Sequence, residues 1–152
     1  MTKRPVLELV VFILMMGAFA LPARLVAGKD PFSGLWRLNV DKSDTQLPVP
    51  QAIRINASGK AIRVREEVAN QNGATAMVTT INADFNGKDY PVIGSPLADA
   101  AACERLDAHT ITITIKRRGN VVVSERLMVS QDGKTLTASF GNFTGVAVFD
   151  KH

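Results

Sequence analysis

Thr110-Ile111-Thr112-Ile113-Thr114-Ile115-Lys116-Arg117-Arg118-Gly119-Asn120-Val121-Val122-Val123-Ser124-Glu125-Arg126-Leu127-Met128-Val129 contains two alternating runs divided by the turn signal Arg118-Gly119-Asn120. A period of two sends successive side chains to opposite faces, so the pattern is that of strands and not of a helix. The short reversal between the runs makes them an antiparallel hairpin. In the first run Ile111, Ile113 and Ile115 share a face against threonines. In the second, Val121, Val123, Glu125, Leu127 and Val129 alternate with Val122, Ser124, Arg126 and Met128.

The same grammar extends in both directions. Toward the C-terminus, Asp132-Gly133-Lys134 is a turn, Leu136, Ala138 and Phe140 alternate with Thr135, Thr137 and Ser139, and Gly141-Asn142 precedes a closing strand over residues 143–149. Toward the N-terminus, Ile53 and Ile55 alternate with Arg54 and Asn56. A Ser58-Gly59-Lys60 reversal follows, and Ile62 and Val64 then alternate with Arg63 and Arg65. Residues 70–73 turn the chain into a long strand over 74–85, with Met77, Thr79, Ile81, Ala83 and Phe85 on one face, and Asn86-Gly87 turns it again. Pro91 removes a backbone donor, so Asp89-Tyr90-Pro91-Val92 is expected to be a short edge-like strand or a bend. Residues 98–107 have good helix propensity, but the few positions between Pro96 and Asp107-Ala108-His109 favour a strand. Residues 41–50, with Pro48 and Pro50, are expected to form a loop.

Nine or ten strands in succession, nearly all joined by short polar reversals, predict an antiparallel meander. Parallel βαβ units would need crossovers of a dozen residues or more. A meander of this length closes on itself or leaves two edges exposed. The expected fold is therefore all-β, an up-and-down antiparallel barrel of 8–10 strands, with a two-sheet sandwich as the alternative.

The 152 residues allow one domain. Lys3 and Arg4 precede an apolar run of 12 residues, LVVFILMMGAFA. That run is short for a membrane-spanning helix, which needs about 20 residues, and fits a secretory signal. Residues 1–28 are expected to be removed, with cleavage between positions 20 and 28, leaving residues 29–152 as an exported (periplasmic or secreted) domain without a stable membrane anchor. From Lys29 onward there are 15 basic and 13 acidic residues. The high overall pI is partly a property of the leader and supports no nucleic-acid partner. The single cysteine, Cys103, cannot close an intramolecular disulfide, and its setting in Ala100-Ala101-Ala102-Cys103 predicts burial.

The stretch Phe32-Ser33-Gly34-Leu35-Trp36-Arg37-Leu38-Asn39 holds the only tryptophan. With Asn86-Gly87-Lys88-Asp89-Tyr90-Pro91-Val92, Asp132-Gly133-Lys134-Thr135-Leu136-Thr137 and Val146-Ala147-Val148-Phe149-Asp150-Lys151, it resembles lipocalins and fatty-acid-binding proteins, the calycin barrels, and short exported bacterial lipocalin-like proteins. The resemblance implies that the indole closes one end of the barrel and touches the last strands. It departs from the family in three places. Residues 41–50 are too few for the helix pair of fatty-acid-binding proteins, and the Thr-Asp-x-x-Tyr block of many lipocalins is missing. Where the fatty-acid headgroup clamp has Arg-x-Tyr, this chain has Ala147 and Phe149, which donate no side-chain hydrogen bond.

No catalytic or metal constellation stands out. Asp84-Phe85-Asn86-Gly87-Lys88-Asp89 opens like a calcium loop, but the fifth and twelfth positions, where acidic ligands are needed, are Lys88 and Ser95, and the Asn86-Gly87 pair reads as a hairpin turn. His109 lies in a turn and His152 is terminal, so no histidine pair is available for a metal or for acid–base work. Glu66 and Glu67 fall on opposite faces of one strand and cannot share a substrate. Lys116-Arg117-Arg118 at a hairpin end reads as a solvated gatekeeper turn. The expected function is non-enzymatic: binding of a small apolar or amphipathic ligand in the barrel, with no cofactor and no metal. Trp36, Tyr90, Arg105 and Arg126 are the candidate ligand-binding residues, with an arginine packed on Trp36 by cation–π contact. The rival expectation is a structural or protein-interaction module with a filled core and no ligand pocket.

Overall fold

The computed structural model describes residues 28–141 and 143–152; the expected leader lies outside them apart from Gly28. The strands are β1 (Gly34–Leu38), β2 (Asp44–Thr45), β3 (Ala52–Ala57), β4 (Ala61–Ala69), β5 (Thr75–Asp84), β6 (Asp89–Ile93), β7 (Ala100–Asp107), β8 (Thr110–Arg117), β9 (Asn120–Val129), β10 (Thr135–Phe140) and β11 (Gly145–Lys151). Every pairing among them is antiparallel. From β3 to β11 each strand pairs with the next, and β1 joins β3 to β11, so the sheet closes into a barrel. Residues 98–107 contribute β7, as their short span between breakers predicts.

Closure rests on the register Trp36↔Lys151, Arg37↔Asp150 and Leu38↔Phe149. Beyond Leu38 the chain steps away through a single 3₁₀ turn, Val40–Lys42, and returns as β2 to pair with Gly145 and Val146 at the start of β11. Eleven strands thus occupy ten positions around the barrel, with β1 and β2 sharing one edge of β11. Residues 41–50 are therefore more than a loop. Local side-chain bonds specify this step: Asn39 Oδ1 accepts from the Lys42 amide at 3.1 Å, and Ser43 Oγ accepts from the Val148 amide at 2.9 Å. Gly145 (φ +90°) is required here, because a Cβ would run into the carbonyl oxygen of Asp44.

Closure also corrects the expectation for residues 89–92. β6 is short, and it meets β5 only at Thr80↔Ile93 and Ile81↔Val92. It nevertheless pairs with β7 on its other side, with Pro91 opposite Ala100, and so is not a free edge.

Alternate residues of each strand face inward, and the core includes Ile53, Ile55, Ile62, Val64, Ile81, Ile111, Ile113, Leu127, Leu136 and Phe149. Cys103 is a free thiol within it and is fully buried. Burial, then the charge of Glu125, pushes that thiol up to about 12 from an ordinary 9.0. A protonated, enclosed thiol is a poor nucleophile. We expect no reaction of the native protein with DTNB at pH 8 and release of one equivalent after unfolding in urea. Rapid reaction of the native protein would mean that β7 opens readily.

Candidate functional site

The two ends of the barrel are built differently. At one end the turn before β1 folds across the opening, with the Ser33 amide donating to the Asp30 carbonyl at 2.9 Å and the Phe32 amide donating to Asp30 Oδ1 at 3.1 Å. Phe32 and Trp36 are both completely buried there. Trp36 Nε1 donates to the Phe32 carbonyl at 2.8 Å, so the indole's one polar atom is satisfied inside the plug. Arg105 follows Ala101 and Cys103 on the inner face of β7. Its guanidinium pairs with Asp30 at 2.7 Å and lies over the rings of Phe32 (5.4 Å) and Phe85 (4.8 Å). Arg105 Nε is buried without a hydrogen-bond partner. The cation over Trp36 is Lys151, with Nζ 4.7 Å from the ring centroid and donating to the Pro31 carbonyl at 3.0 Å. An arginine was the expected partner for the indole; Arg105 instead takes the two phenylalanines.

The opposite end holds a cavity of about 190 Å³. Its walls are Val68 on β4, Met77 and Thr79 on β5, Ile115 on β8, Val123 on β9 and Phe140 on β10. The segments containing Pro48–Pro50 and Ser95–Ala98 border its mouth. Two carboxylates line the same space, Glu66 on β4 and Glu125 on β9. Each continues the inward series of its strand: Ile62, Val64, Glu66 and Val68 on one, Val123, Glu125, Leu127 and Val129 on the other. The strand neighbours of Glu66 are Ile53 and Thr79, and those of Glu125 are Ile113 and Phe140. Neither has an ion-pair partner among the described residues. Burial raises the carboxyl of Glu66 from 4.5 to about 7. Burial, then the negative charge of Glu66, raises that of Glu125 to about 8. The two titrate as a pair.

None of the four residues singled out from the sequence lines this cavity. Trp36 and Arg105 build the closed end. Tyr90 sits where β5 and β6 part, its hydroxyl accepting from Asn86 Nδ2 at 2.8 Å and donating to Asp84 Oδ2 at 3.2 Å, beside an open groove that also includes Asn56, Ala57 and Arg63. Arg126 is exposed on the outer face of β9 next to inward-facing Glu125, which settles against an inward orientation. The sequence pairs Glu66 only with its neighbour Glu67; its true partner, Glu125, lies on a strand distant in the chain. The available signal was an acidic residue at an apolar phase of each alternation. Ala147 and Phe149, at the positions of the fatty-acid clamp, are buried core residues. Among the described residues no three His, Cys, Asp or Glu side chains gather into a metal set. No protein-family model matches the chain, and no curated protein matches it.

Proposed function

We propose that this is an exported, non-enzymatic, lipocalin-like binding protein that holds a small apolar or amphipathic molecule in the open end of its barrel. The observation that carries the reading is the cavity itself. It lies inside the barrel wall, bounded mainly by Val68, Met77, Ile115, Val123 and Phe140, and it opens past Pro48–Pro50 and Ser95–Ala98. Small barrels use their interior either for packed side chains or for one ligand. Here the closed end takes the first course, and the open end leaves room for the second. The volume is small beside that of ordinary drug-sized ligand sites, about 300–1,000 Å³, and suits a short chain or a single ring. Export is supported by the basic and apolar pattern of residues 1–28.

Trp36 is walled off at the far end, so its fluorescence is a poor reporter of binding. The direct test is calorimetric titration of the protein with octan-1-ol, octylammonium and octanoate, repeated on Ala98→Trp, whose indole would fill the mouth. Saturable one-to-one binding of at least one probe, lost in Ala98→Trp with the circular dichroism spectrum retained, is the expected result. Absence of saturable binding for all three overturns the reading and favours an interaction module.

A further inference from the structure

We propose that the molecule taken by this cavity carries a cationic head, an alkylammonium or related amine, held between Glu66 and Glu125, an inference that rests on the cavity being a ligand site. The argument begins with where charge is placed on the strands that form the wall. On β4, Arg63 and Arg65 are exposed on the outer face while Glu66 faces inward. On β9, Arg126 is exposed outside while Glu125 faces inward. Arg54 on β3 is likewise exposed. Lys116 on β8 is engaged with Asp89 at 2.7 Å. The wall strands thus carry their basic groups outside and two acidic groups within, and among the described residues no basic side chain pairs with either interior carboxyl.

Carboxylates withdrawn from water are costly unless they are paired, hydrogen-bonded or protonated. In this barrel the surface that Glu66 and Glu125 retain faces the cavity, and their shared space is where a positive group would be most strongly attracted. Of the two hydroxyls that also line the cavity, Ser95 lies at the mouth and Thr79 is directly across from Glu66. Two carboxylates and one hydroxyl are too few for calcium, which takes 6–8 oxygen ligands. An ammonium, with its small number of donors, matches them in number and charge. The remaining wall is apolar and accepts a hydrocarbon tail. At about 190 Å³ the space equals roughly six waters' share of liquid volume, so the tail is short or extends out of the mouth. An anionic head would be repelled by the charge the acidic pair carries and would find no clamp, since Ala147 and Phe149 stand where a fatty-acid-binding protein has its donors.

The test compares three probes of equal chain length, octylammonium, octan-1-ol and octanoate, by calorimetry at pH 7.5 on the native protein and on E66Q/E125Q. Octylammonium is expected to bind at least tenfold tighter than octan-1-ol, with octanoate weakest. In E66Q/E125Q the preference should disappear while octan-1-ol binding persists. Glutamine keeps the shape and removes the charge, so the variant is expected to fold; retained octan-1-ol binding demonstrates that directly. If it does not fold, E66Q and E125Q singly should each reduce the preference by several-fold. Octylammonium binding no tighter than octan-1-ol, or a preference unchanged by the substitutions, overturns the cationic-head assignment and leaves the cavity reading standing. Failure of all three probes removes the cavity reading itself.

Discussion

Trp36→Ala is expected to unfold the barrel or leave it close to unfolding at room temperature. The indole is completely buried and sits on β1, the strand that joins β3 to β11. Its ladder partners are Ile53 on one side and Lys151 on the other. Truncating a buried tryptophan costs about 3–5 kcal/mol, against a total stability of about 5–15 kcal/mol for ordinary domains. The loss also strips the donor from the buried Phe32 carbonyl and removes the ring beneath Lys151, whose ammonium is already held below its ordinary range by burial and then by the charge of Lys29. Trp36→Phe keeps an aromatic ring but not the Nε1 hydrogen bond. It should therefore fold and lose less, with about 1–3 kcal/mol for the orphaned carbonyl. Urea unfolding followed by far-ultraviolet circular dichroism measures both, since fluorescence disappears with the residue. An unchanged midpoint for Trp36→Ala would deny this plug its organising role.

The second large effect is a fall in stability with rising pH. Glu66 and Glu125 hold their protons more tightly in the folded barrel than in the unfolded chain, because burial, and in Glu125 the neighbouring charge of Glu66, disfavours the carboxylate. The native state therefore binds more protons than the unfolded state between about pH 4.5 and 8, and the free energy of unfolding declines across that window. The contribution is complete below the unfolded value of 4.5, is lost through 7 to 8, and is level above that until Cys103 adds a further decline beyond its ordinary 9.0. Each tenfold difference in proton affinity is worth about 1.4 kcal/mol, so a decline of several kcal/mol is expected. Asp150 bends the curve the other way in acid. Its carboxyl is lowered by the hydrogen bond from Asn39 and then that from Lys42, so its contribution is lost as pH falls below the ordinary aspartate range. Urea midpoints taken from pH 5 to pH 9 should fall for the native protein and stay nearly flat for E66Q/E125Q, with the variant the more stable at pH 9. A native profile as flat as the variant's would mean that water reaches both carboxylates freely.

Much of the architecture is written in local chemistry. Alternation in segments such as Ile111, Ile113 and Ile115, reversals such as Asn86-Gly87 and Asp132-Gly133, and the absence of room for crossover helices lead to an antiparallel meander, and its length requires closure. Burial of Cys103 and the strand over residues 98–107 follow from the same reasoning. These features depend on neighbours a few positions apart, which is why they can be read along the chain.

The placement of Arg105 and Arg126 is different. Both sit in strands of mixed polarity, so the phase of each strand relative to the interior was open until its partners were known; in the closed barrel one arginine faces Phe32 and Phe85 and the other faces water. The pairing of Trp36 with Lys151 required the two ends of the domain to meet in a particular register. The meeting of Glu66 and Glu125 across the cavity required β4 and β9 to be curved onto opposite sides of one space. Period and turn type are local quantities and survive in the order of residues, whereas curvature, closure register and the contents of an enclosed volume arise from all the strands at once.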